Sequence, residues 1–140
     1  MTCGFIVAMS FELRCGDIYG FVTKQAANHP FRYKYHLYLC ATFDTPKQHV
    51  FMFINKYPTG DTMRILPSDW GGMTRRESFI LCSDLFLYPS LELKAKKLTP
   101  RGSLSPVAME RLMQHIENSK TMKEHYANIA LDALTGYFAT

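Results

Sequence analysis

The four cysteines of this chain, Cys3, Cys15, Cys40 and Cys82, never stand close enough for a Cys-x-x-Cys pair. That absence argues against a zinc site built on paired ligands. The stretches "YLCAT" and "ILCSD" place two of the four in strand-like surroundings. The cysteines are therefore expected to be reduced, mostly buried thiols of a cytosolic protein. Long apolar runs are missing as well. The run Phe5 to Met9 is too short for a signal-peptide core, and no basic segment precedes it. It is also too short to span a bilayer. The expectation is a soluble, cytoplasmic chain with no membrane partner, for which Met9 is an alternative start. The chain lacks internal repeats and low-complexity segments, which removes the solenoid and linker classes.

Charge is sparse and nearly balanced. Charged residues make up 20% of the chain, with a net charge of +4 and an isoelectric point near 8.9. Such a balance permits an anionic partner such as RNA without requiring one. Against this, 47% of residues are hydrophobic and 14% aromatic, which excludes a disordered chain. The 140 residues make one ordinary domain, long enough to bury a core.

The pattern divides into a strand-rich first two-thirds and a helical last third, with residues 1–14 set apart as an extension or an extra early strand. "CGDIYGFVTK" opens on a Gly-Asp turn and enriches in Ile, Tyr, Phe and Val, a strand signal. After the loop "QAANHP" a second strand runs from Phe31 to about Phe43. "DTPKQ" turns the chain, and "HVFMFINK" (residues 49–56) is apolar enough to be a central strand. "YPTGD" turns it again before a short fourth strand at residues 62–67. Residues 78–89 read as a fifth strand. "LELKAKKL" (residues 91–98) alternates apolar and basic residues, as an edge strand with lysines in water does. After "TPRGSLSP", Ser105 followed by Pro106 reads as an N-cap with Pro at the first helical position. Met109, Leu112, Met113 and Ile116 follow at helical spacing as a core-facing stripe. "ENSK" breaks or kinks this helix, and Met122, Tyr126, Ile129, Ala130 and Ala133 resume the spacing up to a stop at Gly136. His115 and His125 fall on helical positions that face solvent. The fold class is mainly β with C-terminal helices from about residue 105: a small barrel or strongly curved sheet with helices packed on it.

The strand "FRYKYHLYLC" carries the most chemistry. Strand side chains alternate between faces. Tyr33, Tyr35, Leu37 and Leu39 then form an apolar face, while Arg32, Lys34, His36 and Tyr38 form a basic row ending in an aromatic. Lys and Arg attract phosphate, an aromatic stacks on bases, and an imidazole titrates near neutrality. The loop "SDWGGMTRRES" adds Arg75 and Arg76, which can reach phosphate, and Trp70, which either stacks on a base or plugs the end of the barrel. His36 is either a catalyst or a hydrogen-bonded structural histidine. Asp69, Glu77 and Asp84 show no metal-ligand spacing.

Taken in order, "GDIYGFV", a basic segment leading into a strand, a short apolar strand, "ILPSDWGGMTRRESFILCSDLF" and "GSLSPVAMERLMQHI" resemble the PemK/MazF-like toxins across roughly residues 15–118. The resemblance implies an SH3-like barrel with helices over residues 15–140. It also implies metal-free, cofactor-free cleavage of single-stranded RNA, a homodimer, and an antitoxin protein that restrains it. It places the family's active arginine on Lys34, and its active hydroxyl residue near Asn55 or Lys56, which carry no hydroxyl. RNA cleavage through the substrate's own 2′-hydroxyl needs a base, an acid and a cation near the phosphate. The catalytic candidates are Lys34, His36 and Asn55. The RNA-binding candidates are Arg32, Tyr38, Lys56, Arg64, Trp70, Arg75 and Arg76. The alternative is the same fold without catalysis, a binding module for RNA or a protein partner, of phage or mobile-element origin.

Overall fold

The structure, a computed structural model, describes residues 12–26 and 31–140. Cys3, the alternative start at Met9 and the run Phe5 to Met9 lie outside those residues. So does most of the expected N-terminal extension or extra strand.

Seven strands form one antiparallel sheet: β1 (Asp17–Thr23), β2 (Arg32–Ala41), β3 (Gln48–Asn55), β4 (Thr62–Ile65), β5 (Ser78–Leu81), β6 (Phe86–Pro89) and β7 (Thr99–Ser103). Among the described residues three helices follow: α1 (Ser90–Lys94), α2 (Pro106–Glu117) and α3 (Glu124–Ala139). The strand order is β4-β5-β3-β2-β1-β7, with β6 beside β3. The fold is thus mainly β with C-terminal helices, as the residue patterns predict. The sheet does not close into a barrel, because β4 and β7 remain its two ends.

β3 lies at the centre, and six successive residues from His49 to Ile54 are buried, so both faces of this strand are covered. On one face Ile18, Leu37, Leu39, Val50 and Met52 pack against Met109, Leu112 and Ile116 of α2 and Ala130 and Leu134 of α3. This is the core-facing methionine and leucine stripe expected from the helical spacing. The opposite face carries a second core of Phe21, Tyr38, Phe51, Phe53, Phe86, Tyr88 and Leu93. Full burial of each such apolar side chain stabilises the fold by roughly 1.5–3 kcal/mol.

Three expectations change. Residues 78–89 are two strands rather than one. Near Asp84, whose carboxylate accepts the Leu85 backbone N–H at 2.9 Å, the chain bends. β5 then pairs with the last residues of β3 and β6 with its first half. The edge strand expected at 91–98 is instead α1 followed by a loop, and the strand that edges the sheet beside β1 is β7. An extended segment would place Leu91 and Leu93 on the same face, whereas Leu93 is buried and Leu91 is 82% exposed. Gly136 does not stop α3, which runs on to Ala139. α2 begins as its sequence predicts: Ser105 accepts from the Ala108 N–H, and Pro106 fills the first turn. "ENSK" breaks the helix, since α2 ends at Glu117 and α3 starts at Glu124.

Candidate functional site

A groove of about 730 Å³ opens where the start of β2 meets the end of β3. Arg32 and Lys34 reach it from the start of β2. Asn55 and Lys56 reach it from the end of β3, and Arg75 from the loop before β5. The antiparallel register explains this convergence: Tyr35 stands opposite Ile54, so the first residues of β2 meet the last of β3. Four cations therefore line the groove, with Asp84 as the acidic side chain among them. Its walls are partly apolar, with Tyr33, Tyr35, Phe53 and Phe86 contributing. The Phe53 and Phe86 rings stack in parallel with centroids 3.6 Å apart.

Lys34 is the best-placed side chain. Its ammonium donates a hydrogen bond to Asn55 Oδ1 and lies 5.1 Å from the centre of the Phe53 ring. Partial burial, helped by the nearby charges of Arg32 and Lys56, pulls its pKa down from 10.5 to about 8. A lysine poised there can hold phosphate as a cation and can also take or give a proton.

The basic row predicted on β2 is only half exposed. Arg32 and Lys34 reach the groove, but His36 and Tyr38 enter the second core, because α1 and β6 cover that part of the face. His36 is fully buried. It stacks on Phe21 with ring centroids 3.7 Å apart. Its Nδ1–H donates to the Lys34 carbonyl at 3.0 Å, which leaves Nε2 to accept from the Tyr88 hydroxyl at 2.9 Å. The Tyr88 oxygen in turn lies 2.6 Å from the Thr23 hydroxyl. Burial drives the His36 pKa down to about 3. It is a neutral structural histidine, out of reach of a ligand in the groove. Tyr38 pairs its hydroxyl with His49 Nδ1 at 2.9 Å.

Trp70 is 1% exposed, and its indole N–H donates to the Arg101 carbonyl at 2.5 Å. It plugs the core and does not offer a stacking face. Arg64, on β4, pairs with Glu77 at 2.7 Å and does not line the groove. Arg76 does not line the groove, unlike its neighbour Arg75. His115 is not directed purely at solvent, since it bonds Asp61 at 2.6 Å.

The sequence reasoning passed over several groove residues: Tyr57, Thr59, Ser78 and Asp84. They sit in or beside turns, and only the bend at Asp84 brings β5 and β6 to the same groove. The Thr59 and Ser78 hydroxyls lie near the end of β3, where Asn55 and Lys56 offer none. Cys15, Cys40 and Cys82 are free thiols. Burial raises the pKa of each, that of Cys15 and Cys82 to about 12, so they stay protonated and inert. Among the described residues, no helix is long and apolar enough to cross a membrane.

The chain matches no protein-family model and no curated protein.

Proposed function

We propose that the groove takes single-stranded RNA and cleaves it without a metal, as a toxin-like endoribonuclease. The observation that carries this reading is Lys34, half-buried beside Arg32, Asn55 and Lys56 with its pKa lowered to about 8. In such a reaction the 2′-oxygen bonds to the adjacent phosphorus and the bond from phosphorus to the 5′-oxygen breaks. The 2′-hydroxyl proton is removed and a proton is delivered to the departing oxygen. Lys34 is the group able to exchange that proton near neutral pH, and Asp84 is the carboxylate facing the same space. Arg32, Lys56 and Arg75 offset the charge that builds on the phosphate. The resemblance to PemK/MazF-like toxins adds a homodimer, a restraining antitoxin protein and a cytoplasmic location to the proposal.

A second reading, an RNA-binding module without catalysis, is favoured by the burial of His36, which removes the neutral-range imidazole from the groove. Incubating a mixed-sequence RNA with the wild type, Lys34→Ala and Lys34→Arg separates the two. Cleavage that leaves 2′,3′-cyclic phosphate ends, and that falls about 100-fold or more in Lys34→Ala, supports the nuclease. An intact RNA with salt-sensitive binding supports the module instead. Neither cleavage nor binding removes RNA from the reading.

A further inference from the structure

A second cleft, of about 450 Å³, lies where β1 and β7 meet the loop after α1. Lys24, Lys96, Lys97 and Arg101 line it; among the described residues no acidic side chain does, although Glu92 lies 3.9 Å from the Lys96 ammonium. Three aromatic residues line it, of which Phe21 is buried while Phe31, 71% exposed, and Tyr33, 44% exposed, are open to a ligand. Tyr33 lines the groove as well, so one ring borders both spaces.

Tyr33 is held in place by its surroundings. Gly20 and Tyr35 are register partners, as are Val22 and Tyr33, so the Tyr33 side chain leans diagonally over Gly20. A Cβ at Gly20 would collide with the Tyr33 hydroxyl, so the missing side chain is what lets the ring lie down. Arg101 then fixes the far end by donating to the Tyr33 hydroxyl at 3.2 Å, while its guanidinium lies 5.8 Å from the Tyr35 ring. The Lys24 ammonium sits 5.6 Å from the centre of the Phe31 ring. Fixed aromatic rings with cations at their rims suit stacked bases joined by phosphates.

We propose that the cleft is a continuation of the RNA path. A strand leaving the groove passes Tyr33, stacks bases on Tyr33 and Phe31, and meets its phosphates at Lys24, Lys97 and Arg101. This rests on the reading of the groove as an RNA site. An acidic peptide would satisfy the cations but gain little from two open rings without a closed apolar pocket.

The test uses 2′-O-methyl oligouridylates, which lack the attacking hydroxyl and cannot be cleaved. Lengths of about four and about twelve nucleotides bracket what short and extended sites hold. The wild type is expected to bind the longer strand more tightly. Phe31→Ala is expected to weaken the longer strand by roughly 5- to 150-fold and to spare the shorter. Lys24→Gln combined with Lys97→Gln is expected to flatten its salt dependence by about 0.7 per lost phosphate contact. All three residues are exposed, so these variants test the surface and not the fold. A longer strand also gains from having more binding registers, but that gain persists in the variants. Equal affinity for both lengths, or an advantage the variants leave untouched, overturns the continuation while the groove reading stands. Displacement of the longer strand by oligoglutamate of equal charge as effectively as by RNA also overturns it. Failure of even the short strand to bind overturns the groove reading itself.

Discussion

Lys34 and His36 are two residues apart on one strand face, yet desolvation gives them opposite uses. Lys34 keeps its ammonium at the rim of the second core, where it is charged below about pH 8 and neutral above. RNA affinity is therefore expected to fall as pH rises through 8. In Lys34→Arg, whose cation does not titrate in this range, that fall should be absent; filter binding between pH 7 and 9 reads it. His36 is neutral in the fold. The unfolded chain's imidazole takes a proton near pH 6.5, whereas the folded one resists until about 3. In between, the unfolded chain binds more protons, so this contribution to stability is complete above pH 6.5. It is lost as pH falls toward 3, by up to about 1.4 kcal/mol per pH unit. The Asp61 and Asp69 carboxyls, held below their usual 3.8 chiefly by hydrogen bonds that outweigh the upward push of burial, lose their share only at lower pH. Urea midpoints between pH 6.5 and 4 are therefore expected to drop in the wild type and to drop less in His36→Phe. The remainder comes from His49, whose imidazole pKa is also held below 6.5 by burial and by the charges of Lys47 and Lys94. Alternation correctly sorted this strand into two faces. What it could not show was that α1 and β6 cover the lower half of the polar face, since that depends on residues some fifty positions away.

The elements are joined by polar clasps as well as by their cores. Asp61, just before β4, accepts from His115 at 2.6 Å, Ser119 at 2.8 Å and Thr121 at 2.5 Å. It thereby ties the far end of the sheet to the turn between α2 and α3. Asp69 does the same for the middle of α2 through Arg111 at 2.9 Å. Asp61→Ala leaves three polar side chains without this acceptor and is expected to cost about 1–3 kcal/mol in chemical denaturation. At the opposite end of α2, Ser105→Ala removes the cap and is expected to cost about 1 kcal/mol. The cap and the break at "ENSK" were legible because their signals are local. α1 was misread because "LELKAKKL" supports two periods at once, and the choice was made by the cavity that Leu93 fills. The bend at Asp84 escaped notice for a similar reason: each half of residues 78–89 is a sound strand by itself, and only pairing with β3 reveals the break.

Across the whole molecule, the modest net charge of +4 conceals a local concentration. Four cations and one acid line the groove, and the adjoining cleft adds four cations, of which only Lys96 has an acid, Glu92, nearby among the described residues. Engagement of the four groove cations with phosphate predicts that the logarithm of RNA affinity falls against the logarithm of salt with a slope of about −3. A slope near zero in a salt titration would mean that phosphate is not what these cations hold. Half of this constellation could be read from one strand, because Arg32 and Lys34 stand close together in the chain. Lys56 and Arg75 are also legible as phosphate-binding candidates, but only the sheet shows that they join Arg32 and Lys34; Asp84 and the β7 contribution could not be read at all. The pairing of β1 with β7, in which Leu104 N–H also donates to the Gly16 carbonyl at 2.8 Å, has a temporal side. It joins segments from the two ends of the sheet's sequence, a costly loop to close and hence a late event in folding. During synthesis the groove residues, all before residue 87, emerge well ahead of β7. A nascent chain can thus assemble the groove first, and the strip that extends it comes into being only as the molecule is finished.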